Sequence, residues 1–520
     1  MLKLHSKVFP NLYMDSVSLM QVSAKLSALP GVSQASVAMA TAANIERMRD
    51  SGMAIEITAK PSDLLVAWLA DEDQAGSALA EVEQWLKPVD AETGSAEAVR
   101  VASSLEMGLE VQPDSNLALI SVPGQYAAAE AMKALRLGLN VMLFSDNVPE
   151  AEEASIKAYA EAHDLLVMGP DCGTAIVNGM PLGFANMVRA GAVGLVAASG
   201  TGLQEVSCRI HNLGEGVSQA LGTGGRDLHH EVGGKSMCQA ISMLAQDAAT
   251  RLILLISKPP AADVADRVLR LATGCGKPVV VHFLGADPEQ LRCQGVIPAL
   301  SLQHAADVAV ATLRGLPVPR HSAPEPGRLA QALAAVTRMG KGQTNLRGIF
   351  AGGTFCYEAQ LALVAHGLEC ESNAPVKGAK PLQSRLAGHG HSLVDMGDDE
   401  FTQGRPHPMI DPTLRNARIL QDSNDASTAV LLFDVVLGHG ASEQPVSELL
   451  PMLRAALAKA KAAGRPILCM AHVCGTAMDP QSRADCISEL SAAGVLVADS
   501  NMEAAQLAVQ AILAQNRNLA

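Results

Sequence analysis

One decapeptide pattern occurs twice in this chain, and the order of segments around it recurs as well. Val196 to Glu205 reads VAASGTGLQE and Ile349 to Glu358 reads IFAGGTFCYE; without a gap they share Ala198/Ala351, Gly200/Gly353, Thr201/Thr354 and Glu205/Glu358. Each copy is a strand, a small-residue turn and the start of a helix. A turn (GTGGRDL, DMGDDEF) and a buried apolar run (RLILLIS, TAVLLFDVV) follow, then a last strand entered through Gly276-Lys277-Pro278 or Gly464-Arg465-Pro466. Similarity sustained over so many segments signals a duplicated domain. Short apolar runs alternating with amphipathic helices predict α/β layers around doubly wound parallel sheets.

Two further units precede the copies. The first has a strand near Leu2–Val8, a helix from about Asp15 to Leu29 and a strand around Ala35–Met39; DAETGSAEA (Asp90 to Ala98) follows as a linker. The second alternates NLALISVP, YAAAEAMKALRLG, NVMLFSD and PEAEEASIKAYAEAHD, and ends in LLVMGPDCGT, a Rossmann-like order whose ligands sit beyond the carboxyl ends of the strands. A stretch rich in Pro, Arg and Gly between Arg314 and Gln343 reads as a linker between the copies. The expected domains are 1–95, 110–190, 191–318 and 345–516, in keeping with a length of 520 residues, too long for one core.

The composition narrows the function. The chain is 48% hydrophobic but only 3% aromatic, so its cores are aliphatic, as in buried parallel strands. A net charge of −14, with no dense Lys/Arg run, disfavours nucleic acid and anionic membranes as partners. The ten cysteines are scattered without a CxxC pair; Cys469 and Cys474 are the closest and lack companions at zinc spacing, so reduced thiols and no metal are expected. No run of 18 apolar residues and no leader-like stretch is found, and a cytoplasmic protein is expected.

The repeated turn has a definite chemistry. A strand passing through Ser199-Gly200-Thr201 or Gly352-Gly353-Thr354 straight into a helix exposes backbone N–H groups at the positive end of the helix dipole. Glycine lets an anion approach the backbone, and the hydroxyls add donors. Two such helices packed face to face would aim both ends at one phosphate. GRPHPMIDPTLRN is the other chemically loaded stretch: Arg405 and His407 precede a helix capped by Asp411, and Arg415 lies one turn into it. The two guanidinium forks suit a carboxylate or phosphate, and His407 suits proton transfer near neutral pH. Arg226 and Lys258 follow strands of the first copy and are candidates to complete a cationic clamp, or to form ordinary ion pairs. Asp398, Asp399 and Glu400 are read as a solvated turn rather than a metal site.

Gly169-Pro170-Asp171-Cys172-Gly173, Ser199-Gly200-Thr201 with Glu205, and Gly224-Gly225-Arg226-Asp227 resemble motifs of the α-subunit of succinyl-CoA synthetase. Residues 345–515 resemble the ligase domain of its β-subunit, with Val394-Asp395-Met396-Gly397-Asp398 echoing a Leu-Asp-Val-Gly-Gly segment. Over its whole length the chain is similar to the FdrA family of acyl-CoA-synthetase-like proteins, through DSVSLM, NVMLFSDNV, MGPDCGTA, ASGTGLQE, GTGGRDL, ISKPPA and GRPHPMIDPTLRN. The resemblance implies a Rossmann-like CoA-binding-type domain, two flavodoxin-like ligase domains and a phosphate held between the helices. It also places Gly224 and Gly225 beside that phosphate and gives Cys172 its one claim on the active site.

Three departures argue against an unaided ligase. KVFPNLYMDS, taken as the CoA-loop position, has no glycine; FLGADPEQLRCQGVIPALSLQHAADVA leaves no room for a phosphohistidine loop, so His304 is structural; and no ATP-grasp module is found. Lys258 also replaces a glutamate of the synthetase. The family association then implies a subunit of oxamate carbamoyltransferase in allantoin and purine-nitrogen catabolism. Carbamoyl phosphate would be its substrate, no cofactor would be required, separately encoded partner subunits are expected, and a homo-oligomer stays open. Two alternatives remain: an acyl-CoA synthetase with a separate ATP-grasp subunit, and a non-catalytic subunit that senses a phosphorylated metabolite.

Overall fold

A computed structural model of the protein describes every residue except 1, 13, 15, 54, 56–58, 87–101, 103, 321–322, 385–387, 403–405 and 520. Two compact units result: residues 1–115 with 399–411, and residues 116–398 with 412–520. The linker expected at 90–98 lies outside the described residues.

The smaller unit corrects the expectation of parallel sheets throughout. Its strands β1 (Lys3–Phe9), β2 (Val32–Met39) and β3 (Leu64–Ala70) form an antiparallel sheet in the order β1-β3-β2. The central strand, LLVAWLA, lacks apolar/polar alternation because both its faces are covered. Leu64, Val66 and Trp68 pack with Leu19, Val22 and Leu26 of α1 (Ser16–Ser27) and with Ala78 and Val82 of α2 (Glu72–Trp85). Leu65 and Ala67 meet Met48 and Met53 on the other face.

The larger unit begins with a three-stranded parallel sheet, β4 (Leu117–Ile120), β5 (Asn140–Leu143) and, after helix α3 (Glu150–Ala162), β6 (Val167–Met168). The first repeat copy follows as β7 (Thr174–Val177), β8 (Met180–Gly183), β9 (Ala190–Ala197), α4 (Gly200–Asn212), β10 (Val217–Gly222), β11 (Leu252–Ser257), β12 (Val279–Phe283), β13 (Ile297–Pro298) and α5 (Leu302–Leu313). Its sheet runs β13-β12-β11-β9-β10-β7-β8. The β7–β8 hairpin, expected with the preceding domain, pairs antiparallel with β10 and extends this sheet instead.

The expected linker between the copies contains a helix, α6 (Pro326–Val336), whose first N–H groups at Gly327 and Arg328 are accepted by the Glu325 carboxylate. The second copy comprises β14 (Asn345–Phe350), α7 (Gly353–Ala365), β15 (Cys370–Ser372), β16 (Lys380–Pro381), β17 (His391–Asp395), α8 (Thr413–Asn424), β18 (Thr428–Val436), β19 (Leu468–Cys474), β20 (Leu496–Ala498) and α9 (Asn501–Leu519). Its sheet is parallel throughout, in the order β16-β15-β17-β14-β18-β19-β20. The order 10-9-11-12-13 of the first copy thus recurs as 17-14-18-19-20. Each is the flavodoxin-like order with its crevice at the first strand. Helix α8 starts at Thr413 with Pro412, not Asp411, in the cap position.

A buried ion network joins α3 to the loop after β10. Lys157 Nζ donates to Glu153 Oε1, Asp227 Oδ1 and the Thr223 carbonyl, each at 2.9 Å. Asp227 in turn accepts from the N–H groups of Ser236 and Met237. Removing the cation strands two carboxylates away from water. Lys157→Ala is therefore expected to lower unfolding free energy by roughly 3–5 kcal/mol, read from urea melts; a loss below about 1 kcal/mol would show that the network carries little of the docking.

Candidate functional site: two facing helix ends

The repeated turns leave β9 and β14, the strands at which each sheet order reverses. Ser199 caps α4 in extended backbone geometry, its hydroxyl accepting from the Gly202 N–H at 3.0 Å. Gly352 holds the equivalent place before α7. The two helix ends meet: Ser199 Oγ and Thr354 Oγ1 are hydrogen-bonded to each other. A Cβ on Gly352 would come within 3.0 Å of the Thr201 methyl and 2.7 Å of Phe355, so glycine is needed for the turns to approach this closely. Among the described residues, the backbone N–H groups of Gly200, Thr201, Gly353 and Thr354 have no protein acceptor. They are donors left over at positive helix ends.

The two ends differ in charge. Asp434, near the C-terminal end of β18, accepts from the N–H groups of Ala351 at 2.7 Å and Gly352 at 2.8 Å. Asp395, ending β17, lies over the other side of the turn, where a Cβ on Gly353 would fall 2.4 Å from its Oδ2. Burial pushes the Asp395 carboxyl up to about 7, against the opposing pull of Lys258. Lys258 follows β11, is exposed, and holds its Nζ 5.8 Å from the Tyr357 ring of α7. The second turn is therefore partly occupied by the protein's own carboxylates, whereas among the described residues no carboxylate is hydrogen-bonded to the first.

The repeated glutamates fasten the copies reciprocally. Glu358 of α7 accepts from the Leu302 N–H, at the start of α5, at 2.9 Å, and from Asn501 Nδ2 at 2.8 Å. Glu205 of α4 accepts from the Asn501 N–H, at the start of α9, and its Oε2 lies 2.6 Å from His472 Nε2. Each glutamate thus reaches the N-terminus of the last helix of the opposite copy, where a carboxylate is electrostatically favoured. Burial raises Glu358 to about 7. Burial would also raise Glu205, but His472 beside it holds it below the usual range; burial alone would lower His472, which Glu205 instead lifts to about 10. Asp479 completes the seam by accepting from Met187 N–H and Asn186 Nδ2.

Other sequence candidates lie elsewhere. Gly224 sits over the Gly169-Pro170 turn, and a Cβ there would be 2.4 Å from the Pro170 carbonyl oxygen; Gly225 has open space around it. Arg226 is engaged by Glu153 at 3.0 Å and by the Val148 carbonyl, the ion-pair alternative rather than a free clamp. Cys172 is 2% exposed and burial pushes its thiol up to about 12, which removes it as a nucleophile. Arg415 is buried and donates to the Asp434 carbonyl at 2.9 Å, so it supports that residue instead of presenting a fork to a ligand. His407 belongs to the smaller unit, and desolvation lowers it to about 4, so it carries no cationic charge at pH 7. Arg405 lies outside the described residues. His304 is bonded through both ring nitrogens, to Leu300 N–H and the Pro319 carbonyl, as a structural residue. KVFPNLYMDS belongs to the antiparallel unit, so its lack of glycine says nothing of a CoA loop. The first turn of the Rossmann-like sheet is Ser121-Val122-Pro123-Gly124, where a Cβ on Gly124 would clash with the Asp146 carbonyl oxygen at 2.3 Å.

A duplicated flavodoxin-like pair with facing helix ends defines an acyl-CoA-ligase-like protein. The family model for CoA-ligase matches residues 349–511, and that for the AllF heavy metal-associated domain matches residues 1–101. The uncharacterized protein YahF of Escherichia coli is 43% identical over 507 residues, 96% of each chain. The chain belongs to the FdrA-type family of acyl-CoA-synthetase-like proteins. It is also similar to the malate–CoA ligase α-subunit of Methylorubrum extorquens, at 26% identity over 41% of this chain and 73% of that one. With the succinate–CoA ligase α-subunit of Aquifex aeolicus it shares 27% identity over 33% of this chain and 57% of that one. The thiolates that bind soft heavy metals are not available in residues 1–101, because no cysteine precedes Cys172. Among the described residues no helix is long and apolar enough to cross a membrane.

Both Glu358 and Asp395 hold protons further up the pH scale when folded than when unfolded. The native state then binds more protons between about pH 4.5 and 7, and stability falls as pH rises through that window. The double variant Glu358→Gln/Asp395→Asn should flatten the slope and be more stable than wild type at pH 8. Urea melts across that pH range measure it; an unchanged slope would show that the two carboxyls ionise normally.

Proposed function

We propose that the facing helix ends bind the phosphoryl group of an acyl phosphate, and that the chain is the acyl-phosphate-handling subunit of an oxamate carbamoyltransferase. The observation that carries this reading is the meeting of the two turns at Ser199 and Thr354, with four unaccepted N–H groups and Lys258 beside them. The oxamate nitrogen attacks the carbamoyl carbon, the bond from that carbon to the phosphate oxygen breaks, and phosphate leaves with its charge held by the helix ends and Lys258. The nitrogen gives up a proton to solvent or to the leaving phosphate. Preorganised donors of this kind stabilise charge without reorganising. The activated substrate supplies the driving force, so neither an NTP nor CoA enters. Ser199, Gly200, Thr201, Gly353 and Thr354 bind phosphate; Gly352, whose N–H is held by Asp434, lets the turns approach, and Arg415 and Asp434 are positioning residues. Partner subunits complete the acceptor pocket, and the AllF match to residues 1–101 is in keeping with allantoin breakdown.

The test is phosphate release from carbamoyl phosphate and oxamate by the full chain co-purified with its partners. Oxamate-dependent turnover without NTP or CoA is expected, falling about 100-fold in Lys258→Ala. No turnover together with tight CoA binding would put the acyl-CoA synthetase reading first. The site also predicts a pH effect. Sulfate, whose charge is constant near neutrality, should bind more tightly as pH falls through about 7 and Asp395 takes up its proton. Calorimetry with Asp395→Asn should show tighter binding with no such dependence; a wild-type affinity flat in pH would remove Asp395 from the site.

A further inference from the structure

At the seam between the copies, away from the phosphate-facing ends, four metal-ligating side chains converge. Glu205 and Cys208 stand three residues apart on one face of α4; His472 and Cys474 stand two apart and so share one face of β19. One ligand atom from each of Glu205, His472 and Cys474 lies within 4.8 Å of the others. Cys208, one turn of α4 beyond Glu205, supplies the fourth candidate donor. All four residues are at most 3% exposed, and all four line a cavity of about 270 Å³.

We propose that these two cysteines, the histidine and the glutamate form a zinc site that pins the first copy to the second. A tetrahedral zinc ion about 2.0–2.3 Å from each donor needs donor separations of roughly 3.3–3.8 Å; the Glu205, His472 and Cys474 donors already lie within 4.8 Å of one another, and the Cys208 side chain turns toward them to complete the set. The 2.6 Å contact between His472 and Glu205 also opens to admit it. Two acceptor-type ligand atoms already face each other at that contact with a proton between them. His472 is also oriented as a ligand: its Nδ1 faces the Ala498 carbonyl at 3.3 Å, which fixes the tautomer and leaves Nε2 for the metal. Two thiolates and an imidazole favour zinc over the hard cations magnesium and calcium. On binding, both thiol protons and the proton held between His472 and Glu205 pass to solvent. Arg483, which also lines the cavity, offsets the negative charge of two thiolates and a carboxylate on one Zn²⁺. All four positions are occupied by protein, so the site is structural, as closed zinc sites are.

The test uses the intact chain, stripped with chelator and titrated with Zn²⁺ or Co²⁺ alone. Expected are about one tightly held zinc per chain by elemental analysis and, with cobalt, intense visible bands of tetrahedral geometry with a thiolate-to-metal charge-transfer band. Cys208→Ser/Cys474→Ser should lose those bands, while Cys293→Ser, altering an exposed thiol, should keep them. Zinc should also raise the thermal midpoint of wild type. A cobalt spectrum without thiolate charge transfer, or zinc binding no tighter than that of the double variant, would overturn the proposal and leave His472–Glu205 as an ion pair only. The wild-type spectrum decides the matter even if the double variant does not fold.

Discussion

Two positive helix ends brought face to face repel each other, and much of the larger unit is arranged to offset that repulsion. Helices α4 and α7 meet through Ser199 and Thr354, while α5 and α9 begin close by at Leu302 and Asn501. The protein answers with buried carboxylates. Glu205 and Glu358 accept at the starts of α9 and α5, and Asp434 accepts from the turn before α7. Burying these groups costs desolvation energy, which their N–H donors and the cations His472 and Arg415 recover only in part. Among the described residues, four N–H groups at the two turns remain without a protein acceptor.

Duplication sets the architecture, but the copies have diverged where chemistry is concerned. The first turn ends in Ser-Gly-Thr; the second ends in Gly-Gly-Thr, is lined by Asp395 and Asp434, and leads into α7, where Lys258 lies over the Tyr357 ring. A dianion placed between them meets neutral donors on one side and, on the other, titratable carboxyls together with Lys258. That asymmetry suits a group whose charge changes during reaction better than it suits a permanently bound phosphate.

How much of this was legible in the sequence depends on the range of the interactions. The repeat disclosed the parallel strands that the two larger sheets share, because strand, turn and helix patterns are local, though not the β7–β8 hairpin that extends the first; the Gly-Lys-Pro and Gly-Arg-Pro entrances do lead into the equivalent strands β12 and β19. It also disclosed the two turns. The antiparallel first sheet was not legible: β3 is apolar on both faces, so it carries no alternation, and pairing direction leaves no mark in composition. Nor were the partners of charged residues. Arg226 looked like a clamp because Glu153 lies far back in sequence, and Arg415 looked like a ligand-binding fork because nothing local reveals that Asp434 covers it. Spacing along the chain likewise separated Cys474 from Cys208, which the fold places on the wall of one cavity.

Both copies belong to one polypeptide, joined through α6 and its flanking segments. Helices α4 and α7 therefore meet at a high effective concentration set by a short tether, without the translational entropy loss that two separate subunits pay on association. A seam that buries this much charge would make a weak dimer interface. Held within one chain, it persists at any dilution, and each molecule carries one such pair of helix ends from the moment it folds.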